Sequence, residues 1–297
     1  MKMLSGIRWA LLALSAIAAT PLVAAPPMVD GDWLYDRLND PGVVLVDMSE
    51  DETQYQRFHL PGALRLSYSQ LLKKRTADGI AARLSDQELF SLLGRLGIQR
   101  DQHVVVYDDV GGLEAGRLFW ELERVGHAAV SVLDGGLVQW ILRGRKVDNA
   151  PVTRLPVRYR PDDARRANEA TLAEVKSAAV TRAAVLLDVR SEAEYRGDAK
   201  PARSGHIPGA RFWPWEQAVD VSQGFVRSTD TDIEKSLKLA GVSRDRPIIA
   251  YCRSGHRAAQ TYWALRSLGY ENIKLYSNSM NEYLADPGAA LTRGKDP

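Results

Sequence analysis

Residues 246–268, RPIIAYCRSGHRAAQTYWALRSL, contain the only cysteine of the chain. The run at 248–251 is short, apolar and rich in β-forming residues, whereas apolar side chains recur at helical spacing between 258 and 268. This pattern predicts a strand, a tight loop and a helix. Cys252 would therefore lie at the end of the strand, beneath the N-terminus of the helix.

Positive charge surrounds this predicted position of the thiol. Loop N–H groups and the helix dipole favour an anion there, and Arg253, His256 and Arg257 add cationic potential. We therefore expect the thiol of Cys252 to ionise more readily than a free one and to act as a nucleophile. The alternative is an inert buried thiol, which is a common role for a lone cysteine.

Length and composition limit the classes of protein to consider. The chain has 297 residues, of which 45% are hydrophobic, so it can bury a sizeable core, and its length favours two domains. Its formal net charge is only +2, and its basic residues are dispersed. This balance argues against nucleic acid as the partner.

The N-terminus has the pattern of a secretory signal peptide. Lys2 and Arg8 precede an apolar run at 9–19, and small residues follow up to Ala25. The run is short for a membrane span, so we expect a signal peptide at 1–25, a periplasmic or secreted protein, and no membrane attachment after cleavage. The alternatives are an uncleaved anchor or a disordered leader. A single cysteine in an exported protein cannot form an internal disulfide, which strengthens the expectation of a reactive thiol.

The chain contains one α/β unit twice, in the same order. Three segments of the first half have counterparts in the second: VVLVD at 43–47 and VLLD at 185–188, HLPGA at 59–63 and HIPGA at 206–210, and VVVYD at 104–108 and IIAYC at 248–252. Strands alternate with predicted helices, which indicates mainly parallel sheets covered by helices on both faces. We predict domains at 26–150 and 167–297, joined by a proline-containing linker at 151–166.

Three local predictions can be checked against the structure. Ser85 and Glu88 form a capping-box pattern at the start of a helix at 84–96. We also expect a helix at 29–38 and a loose tail after Leu284.

The duplication allows one half to serve as a control for the other. His59 and His206 share the same turn, so the structural role of a turn histidine bonded to the backbone is favoured for His206. An ungapped comparison places Asp108 opposite Cys252 and Gly112 opposite His256. The first half would then have an acidic loop that lacks an anion cradle, meaning a set of loop N–H groups and cations that stabilise a negative charge. We therefore interpret its domain as a non-catalytic partner that closes one side of the active site.

The motifs DVRSEAEY, SGHIPGA and CRSGHR in the second half, with degenerate counterparts in the first, resemble those of a tandem-domain rhodanese, a sulfurtransferase. The resemblance covers nearly everything after the leader. It implies that a cysteine thiolate attacks the outer sulfur of a donor such as thiosulfate. The resulting persulfide then passes that sulfur to cyanide or to a thiol, including a protein thiol. The resemblance implies no metal and no cofactor.

The resemblance also points to substrate-binding residues around the catalytic Cys252. The loop residues Ser254, Gly255, His256 and Arg257 would hold the charged sulfur, and Arg190 and Arg253 would bind the donor's sulfonate, because guanidinium groups bind oxyanions in a forked geometry. Arg190 could instead be a salt-bridge residue, and Arg257 could brace the loop. Trp213 and Trp215 would line the pocket or pack in the core.

The loop sequence indicates the identity of the sulfur donor less clearly than it indicates sulfur transfer itself. The loop lacks the lysine of many thiosulfate-preferring members, because Ser254 stands at that position, and it also lacks the uncharged pattern associated with 3-mercaptopyruvate. Arg253 nevertheless favours thiosulfate. In the second half, residues 278–283 (NSMNEY) also stand where the family usually carries a tryptophan-bearing stretch.

Two other functions remain open. A cysteine-dependent phosphatase or arsenate reductase also uses a thiolate at a helix N-terminus, but with an arginine six residues later, where this chain has Ala258. A non-enzymatic persulfide carrier would need only a thiol that stores sulfur for a partner.

Overall fold

The structure, a computed structural model, describes residues 25–73, 82–127, 129–160, 166–198 and 203–297. Nearly all of the predicted signal peptide, and positions 161–165 of the predicted linker, lie outside these ranges. No helix within them is long and apolar enough to cross a membrane.

The first half is built around a five-stranded parallel sheet with the strand order β1-β5-β4-β2-β3. Its strands are β1 (Met28–Val29), β2 (Val43–Asp47), β3 (Leu64–Arg65), β4 (His103–Tyr107) and β5 (Ala129–Leu133). Its helices are α1 (Gly31–Tyr35), α2 (Glu52–Arg57), α3 (Asp86–Arg95), α4 (Ala115–Arg124) and α5 (Gly136–Leu142), with a 3₁₀ turn at Tyr68–Leu71.

The second half repeats this plan with a four-stranded parallel sheet of order β11-β10-β6-β7. Its strands are β6 (Val185–Asp188), β7 (Arg211–Phe212), β10 (Ile248–Tyr251) and β11 (Ile273–Leu275), and a separate antiparallel pair is formed by β8 (Val219–Asp220) and β9 (Val226–Arg227). Its helices are α6 (Leu172–Thr181), α7 (Glu192–Arg196), α8 (Asp230–Leu239), α9 (His256–Ser267) and α10 (Ser279–Ala285), with 3₁₀ turns at Trp215–Ala218 and Val221–Gln223.

Successive strand residues enter cores on opposite faces of each sheet. In β10, Ile248 and Ala250 belong to one buried cluster, whereas Ile249 and Tyr251 belong to another. Side chains that alternate along a strand require helices on both faces if both sets are to be buried. The predicted α/β architecture of two mainly parallel sheets is therefore confirmed.

The two halves share one buried interface, because a single hydrophobic cluster contains residues of both sheets. Polar contacts reinforce it. The Asn168 side-chain amide donates to the hydroxyl of Tyr262 (3.1 Å), which in turn donates to Glu123 (2.6 Å), and Arg266 forms an ion pair with Glu123 (3.1 Å). The helices α4 and α9 pack against each other here.

The capping box is confirmed, since Ser85 and Glu88 bond reciprocally at the start of α3. The second predicted helix exists but is shorter than expected, and the prediction of a loose tail was wrong. The helix expected at 29–38 covers only Gly31–Tyr35, because Met28 and Val29 instead pair with β5 as an edge strand. The tail is not loose, because the backbones of Thr292 and His206 exchange two hydrogen bonds of 2.9 Å.

Candidate active site

Cys252 lies where sequence reasoning placed it, between the end of β10 and the start of α9. Its side chain is buried, with 1% of its surface exposed. The N–H of Gly255 donates a hydrogen bond to its Sγ (3.2 Å). The sulfur therefore sits at a helix N-terminus, where negative charge is stabilised by the backbone.

Gly255 is the residue that gives the loop its shape. Its φ of +83° lies in the left-handed region, where residues with a Cβ are strained. A Cβ at this position would also lie 2.1 Å from the carbonyl oxygen of Ser277. Only glycine can turn the chain here and still direct its N–H to the sulfur.

The segment after β11 forms hydrogen bonds with the Cys252 loop, a contact that the sequence did not reveal. The Oγ of Ser279 accepts the N–H of Cys252 (3.0 Å) and donates to the carbonyl of Tyr276 (2.7 Å). The N–H groups of Met280 and Asn281 then donate to the carbonyls of Cys252 (3.2 Å) and Arg253 (2.9 Å). This is the segment that stands in place of the family's usual tryptophan-bearing stretch. Its register beside the loop could not be read from the sequence, because the two segments are distant along the chain.

Arg253 and Ser254 lie on the open side of the loop. The side chain of Arg253 is exposed and forms no ion pair with any residue that the structure describes, and Ser254 is partly exposed. Arg253 is thus a cation next to the nucleophile that is available to an incoming anion.

Arg190 is placed differently from the expected sulfonate-binding residue. It is 5% exposed, and its Nε and Nη2 donate to the carboxylate of Asp188 at 2.6–3.2 Å, while Nη2 also donates to the carbonyl of Gly205 (2.8 Å). Burial opposes the charge on Arg190, but the bonds to Asp188 outweigh it and raise its pKa. The role of Arg190 in binding the donor therefore stays a prediction, and the structure shows its Nε and Nη2 groups in the buried salt bridge that was the alternative.

Arg257 braces the site through a forked ion pair. Its Nη1 and Nη2 donate to the two carboxylate oxygens of Glu194 (2.7 and 3.0 Å). Burial alone would raise the pKa of Glu194, but the bonds from Arg257 and from Ser191 outweigh it and lower that pKa to about 2. Arg257 also interacts electrostatically with Cys252, so it contributes positive potential at the sulfur while its own hydrogen bonds are satisfied.

His256 faces the first half of the chain. Its Nε2 lies 2.9 Å from Oε2 of Glu114, at the N-terminus of α4, and its ring packs on that of Tyr68 with 4.1 Å between the centroids. Tyr68 and Glu114 were not identified from the sequence, because the pairing of the two halves is not visible in a local pattern.

The loop of the first half does contain an anion cradle, which corrects the expectation that it lacks one. The carboxylate of Asp108 accepts backbone N–H groups of Val110 (3.0 Å), Gly112 (2.9 Å), Glu114 (2.8 Å) and Ala115 (2.9 Å). Burial raises the pKa of Asp108, and these four hydrogen bonds oppose that rise. Asp108 itself occupies the anion site of the first half.

The ungapped comparison of the two loops was also wrong by one residue. Gly112 has a φ of +83°, as does Gly255, and each donates its N–H to the side chain at the strand end. Gly112 is thus the counterpart of Gly255 and not of His256, and the first loop contains one additional residue.

The two candidate tryptophans belong to the core. Trp213 is 2% exposed, and its indole N–H donates to Ser236 of α8 (2.9 Å). Trp215 is partly buried against the same apolar cluster. Packing is therefore the role that the structure gives them.

Known proteins show the same organisation. The family model for the rhodanese-like domain matches the chain twice, at residues 30–143 and 171–286. A Mycobacterium bovis protein, provisionally named thiosulfate sulfurtransferase 1, is 33% identical over 90% of this chain and 98% of its own length. The sulfur carrier protein TtuD of Thermus thermophilus is 30% identical over 91% of this chain and 97% of its own length.

A solved structure agrees with these relatives. The crystal structure of SseA from Escherichia coli, described as a 3-mercaptopyruvate sulfotransferase with the rhodanese fold, aligns with a TM-score of 0.74 and 28% identity, over 86% of this chain and 99% of that one. The fold, the repeated domain and the thiol loop together show that the chain belongs to the rhodanese family, as a two-domain sulfurtransferase.

Proposed function

We propose that this protein moves a sulfane sulfur from an anionic donor, with thiosulfate favoured, to a thiophilic acceptor through a persulfide on Cys252. The observation that carries the proposal is the buried Sγ of Cys252, which accepts the N–H of Gly255 and is followed by the exposed Arg253, a cation with no ion-pair partner in the described part of the chain. A soft nucleophile with a preformed amide donor is suited to covalent transfer.

In the first step the thiolate of Cys252 attacks the outer sulfur of thiosulfate. The S–S bond of the donor breaks, and its electron pair leaves with sulfite. The outer sulfur remains on Cys252 as a persulfide, whose negative charge faces the helix N-terminus. Arg253 is the best candidate for the donor's sulfonate, because Arg190 and Arg257 are engaged with Asp188 and Glu194.

In the second step the acceptor attacks the outer sulfur and releases the Cys252 thiolate. Cyanide gives thiocyanate, and a thiol gives a new persulfide. No further cofactor is needed for either step, because the electron pairs are supplied by the nucleophiles.

The first half would act as the non-catalytic wall of this site. Tyr68 and Glu114 reach the loop from that side, and the first half's own cradle holds Asp108 instead of a nucleophile. We assign residues 26–150 to this domain, 151–166 to the linker and 167–297 to the catalytic domain.

A simple assay tests the proposal. The protein is mixed with thiosulfate and cyanide, and thiocyanate is followed, with an aryl phosphate as the parallel substrate and Cys252→Ser as the control. We expect thiocyanate formation that is lost in the variant. Phosphate release without thiocyanate would instead indicate a cysteine-dependent phosphatase.

A persulfide carrier is the second candidate, because a relative with 30% identity is named a sulfur carrier protein. A carrier would accept sulfur on Cys252 without turning over on small acceptors. A stable persulfide that cyanide does not discharge would favour this function.

We also propose that residues 1–25 are a signal peptide and that the mature protein is periplasmic or secreted. The basic residues Lys2 and Arg8, followed by a short apolar run, support this. N-terminal sequencing of the protein recovered from an expressing bacterium, after separation of periplasm and cytoplasm, tests it. A full-length chain in the cytoplasm would contradict it.

A further inference from the structure

Three polar atoms meet at the seam between the two halves, beside the thiol loop. The hydroxyl of Tyr68, Oε2 of Glu114 and Nε2 of His256 are all buried, and none forms a well-aligned hydrogen bond within the described part of the chain. Buried polar groups are normally satisfied, so a cluster of this kind needs an explanation. His256 is the first residue of α9 and directly follows the Cys252 loop, so the cluster lies beside the thiol.

The carboxylate of this cluster is held firmly. Glu114 is the N-cap residue of α4, and its backbone N–H donates to the carboxylate of Asp108 (2.8 Å). Its side chain is 5% exposed, and its Oε2 lies 2.9 Å from Nε2 of His256. A buried carboxylate is costly unless it has a partner, and the imidazole is the group placed to be that partner.

Two groups contact the imidazole of His256: the ring of Tyr68 lies against one face, and the carboxylate of Glu114 lies at the Nε2 edge. The planes of the Tyr68 and His256 rings meet at an angle of 33°, and the guanidinium carbon of Arg117 lies 6.0 Å from the centroid of the Tyr68 ring. The charged and titratable groups on this side of the seam are Glu114, Tyr68, and Arg117 with its buried ion-pair partner Glu121 from the first half, with Cys252 and Arg257 on the side of His256 itself. The carboxylate of Glu114 and the tilted phenol ring of Tyr68 together restrict the orientation of the imidazole.

The 2.9 Å separation between Oε2 of Glu114 and Nε2 of His256 favours one tautomer on electrostatic grounds. A carboxylate at Nε2 favours the proton on that nitrogen, which leaves the lone pair on Nδ1. Nδ1 has no hydrogen-bond partner among the described residues, and the His256 side chain is 25% exposed. A base with one nitrogen fixed by a carboxylate and the other open to an incoming group can accept a proton from that group.

We propose that His256, oriented by Glu114 of the first half, relays the proton of a thiol acceptor during discharge of the Cys252 persulfide. The inference rests on the proposed function and specifies its acceptor as a protonated thiol. Nδ1 takes the proton from the thiol as the sulfur attacks the outer sulfur of the persulfide. The bond between Sγ and the outer sulfur breaks with its electron pair remaining on Sγ, and the imidazolium returns the proton to the transferred sulfur.

The relay should matter only for an acceptor that carries a proton. Sulfite discharges the persulfide back to thiosulfate without any proton transfer, whereas a thiol of ordinary pKa, about 8.5, is mostly protonated near pH 7. The ratio of thiol discharge to sulfite discharge therefore isolates the relay from persulfide chemistry in general.

The experiment begins with protein loaded by thiosulfate and freed of excess donor. Discharge by dithiothreitol and by sulfite is then followed by mass spectrometry at pH 7, for the wild type, Glu114→Gln and His256→Gln. The matched control is Glu123→Gln, which removes another interdomain carboxylate on α4 that bonds Tyr262 and Arg266.

We expect the thiol-to-sulfite ratio to fall about tenfold or more in both variants and to stay near that of the wild type in the control. The defect should shrink above the pKa of dithiothreitol, where the acceptor no longer needs to lose a proton. Equal losses with both acceptors, or an unchanged ratio, would overturn the relay. A wild-type protein that takes up no sulfur would contradict the proposed function instead.

Discussion

The loops that follow β4 and β10 have the same backbone plan and opposite chemistry. Each leaves its strand under a helix N-terminus, and each contains a glycine with a φ of +83° that donates its N–H to the strand-end side chain. In the first half this side chain is the carboxylate of Asp108, and in the second it is the thiol of Cys252. The comparison teaches that the fold provides the same backbone site twice, and that the residue at the strand end decides whether a carboxylate or a thiol lies in it.

The surrounding scaffold is shared in the same way. The hydroxyl of Tyr107 accepts the N–H of Leu60 (3.0 Å), and the hydroxyl of Tyr251 accepts that of Ile207 (3.2 Å). The turn histidines also match, since Nδ1 of His206 lies 2.9 Å from the carbonyl of Tyr195, as Nδ1 of His59 lies 2.7 Å from that of Tyr55. The predicted structural role of His206 is confirmed, and features present in both halves thus build the fold.

The largest effect should come from making the second loop like the first. In Cys252→Asp the carboxylate can accept the N–H of Gly255, so the fold should be retained while the nucleophile is lost. We expect sulfur transfer to fall on the order of a thousandfold or more. Thiocyanate formation measures this, and circular dichroism with a thermal melt checks the fold. Substantial transfer by the variant would refute the role of Cys252.

The second prediction removes the anion from the first loop. Asp108→Ala leaves four backbone N–H donors without their acceptor in a buried site, and each such group costs about 1–3 kcal/mol. We expect the free energy of unfolding to fall by about 3 kcal/mol or more in a denaturant titration. Asp109→Ala, the matched control, should change it by about 0.5 kcal/mol or less, since the Asp109 side chain accepts no such bonds from the residues that the structure describes. Equal effects of the two variants would argue against the cradle.

The smallest effect concerns the ion pair that braces only the second loop. The pKa of Glu194 is about 2, below the ordinary 4.5, so its contribution to stability is present above pH 4.5 and is lost as the pH falls toward 2. Because the pair with Arg257 is partly exposed, this contribution is about 1 kcal/mol or less. Unfolding measured between pH 5 and pH 2 should show a shallower decline for Glu194→Gln than for the wild type. The same slope for both proteins would contradict the assignment.

Much of the fold could be predicted from local sequence. The strands containing VVLVD and VLLD are short apolar runs, and the capping box of Ser85 is a local signal. Strand β1 was missed because its two residues gain their structure only by pairing with β5, which is distant along the chain.

The position of Cys252 between the end of β10 and the start of α9 was predicted from the sequence, and its surroundings were predicted less well. Backbone N–H groups do not appear in a sequence, so the acidic loop of Asp108 seemed unable to hold an anion. Ser279 and Glu114 reach the loop through tertiary packing, and no spacing in the chain indicates their proximity. The sequence showed that Arg190 carries a positive charge, but it did not show that Arg190 would form a buried salt bridge with Asp188.

The most direct test of the account is intact-protein and peptide mass spectrometry after incubation with thiosulfate. The account predicts that the wild type gains the mass of one sulfur atom, that the modified peptide contains Cys252, and that cyanide removes the added mass. An unmodified Cys252 in protein that produces thiocyanate would contradict the claim that this loop is the active site.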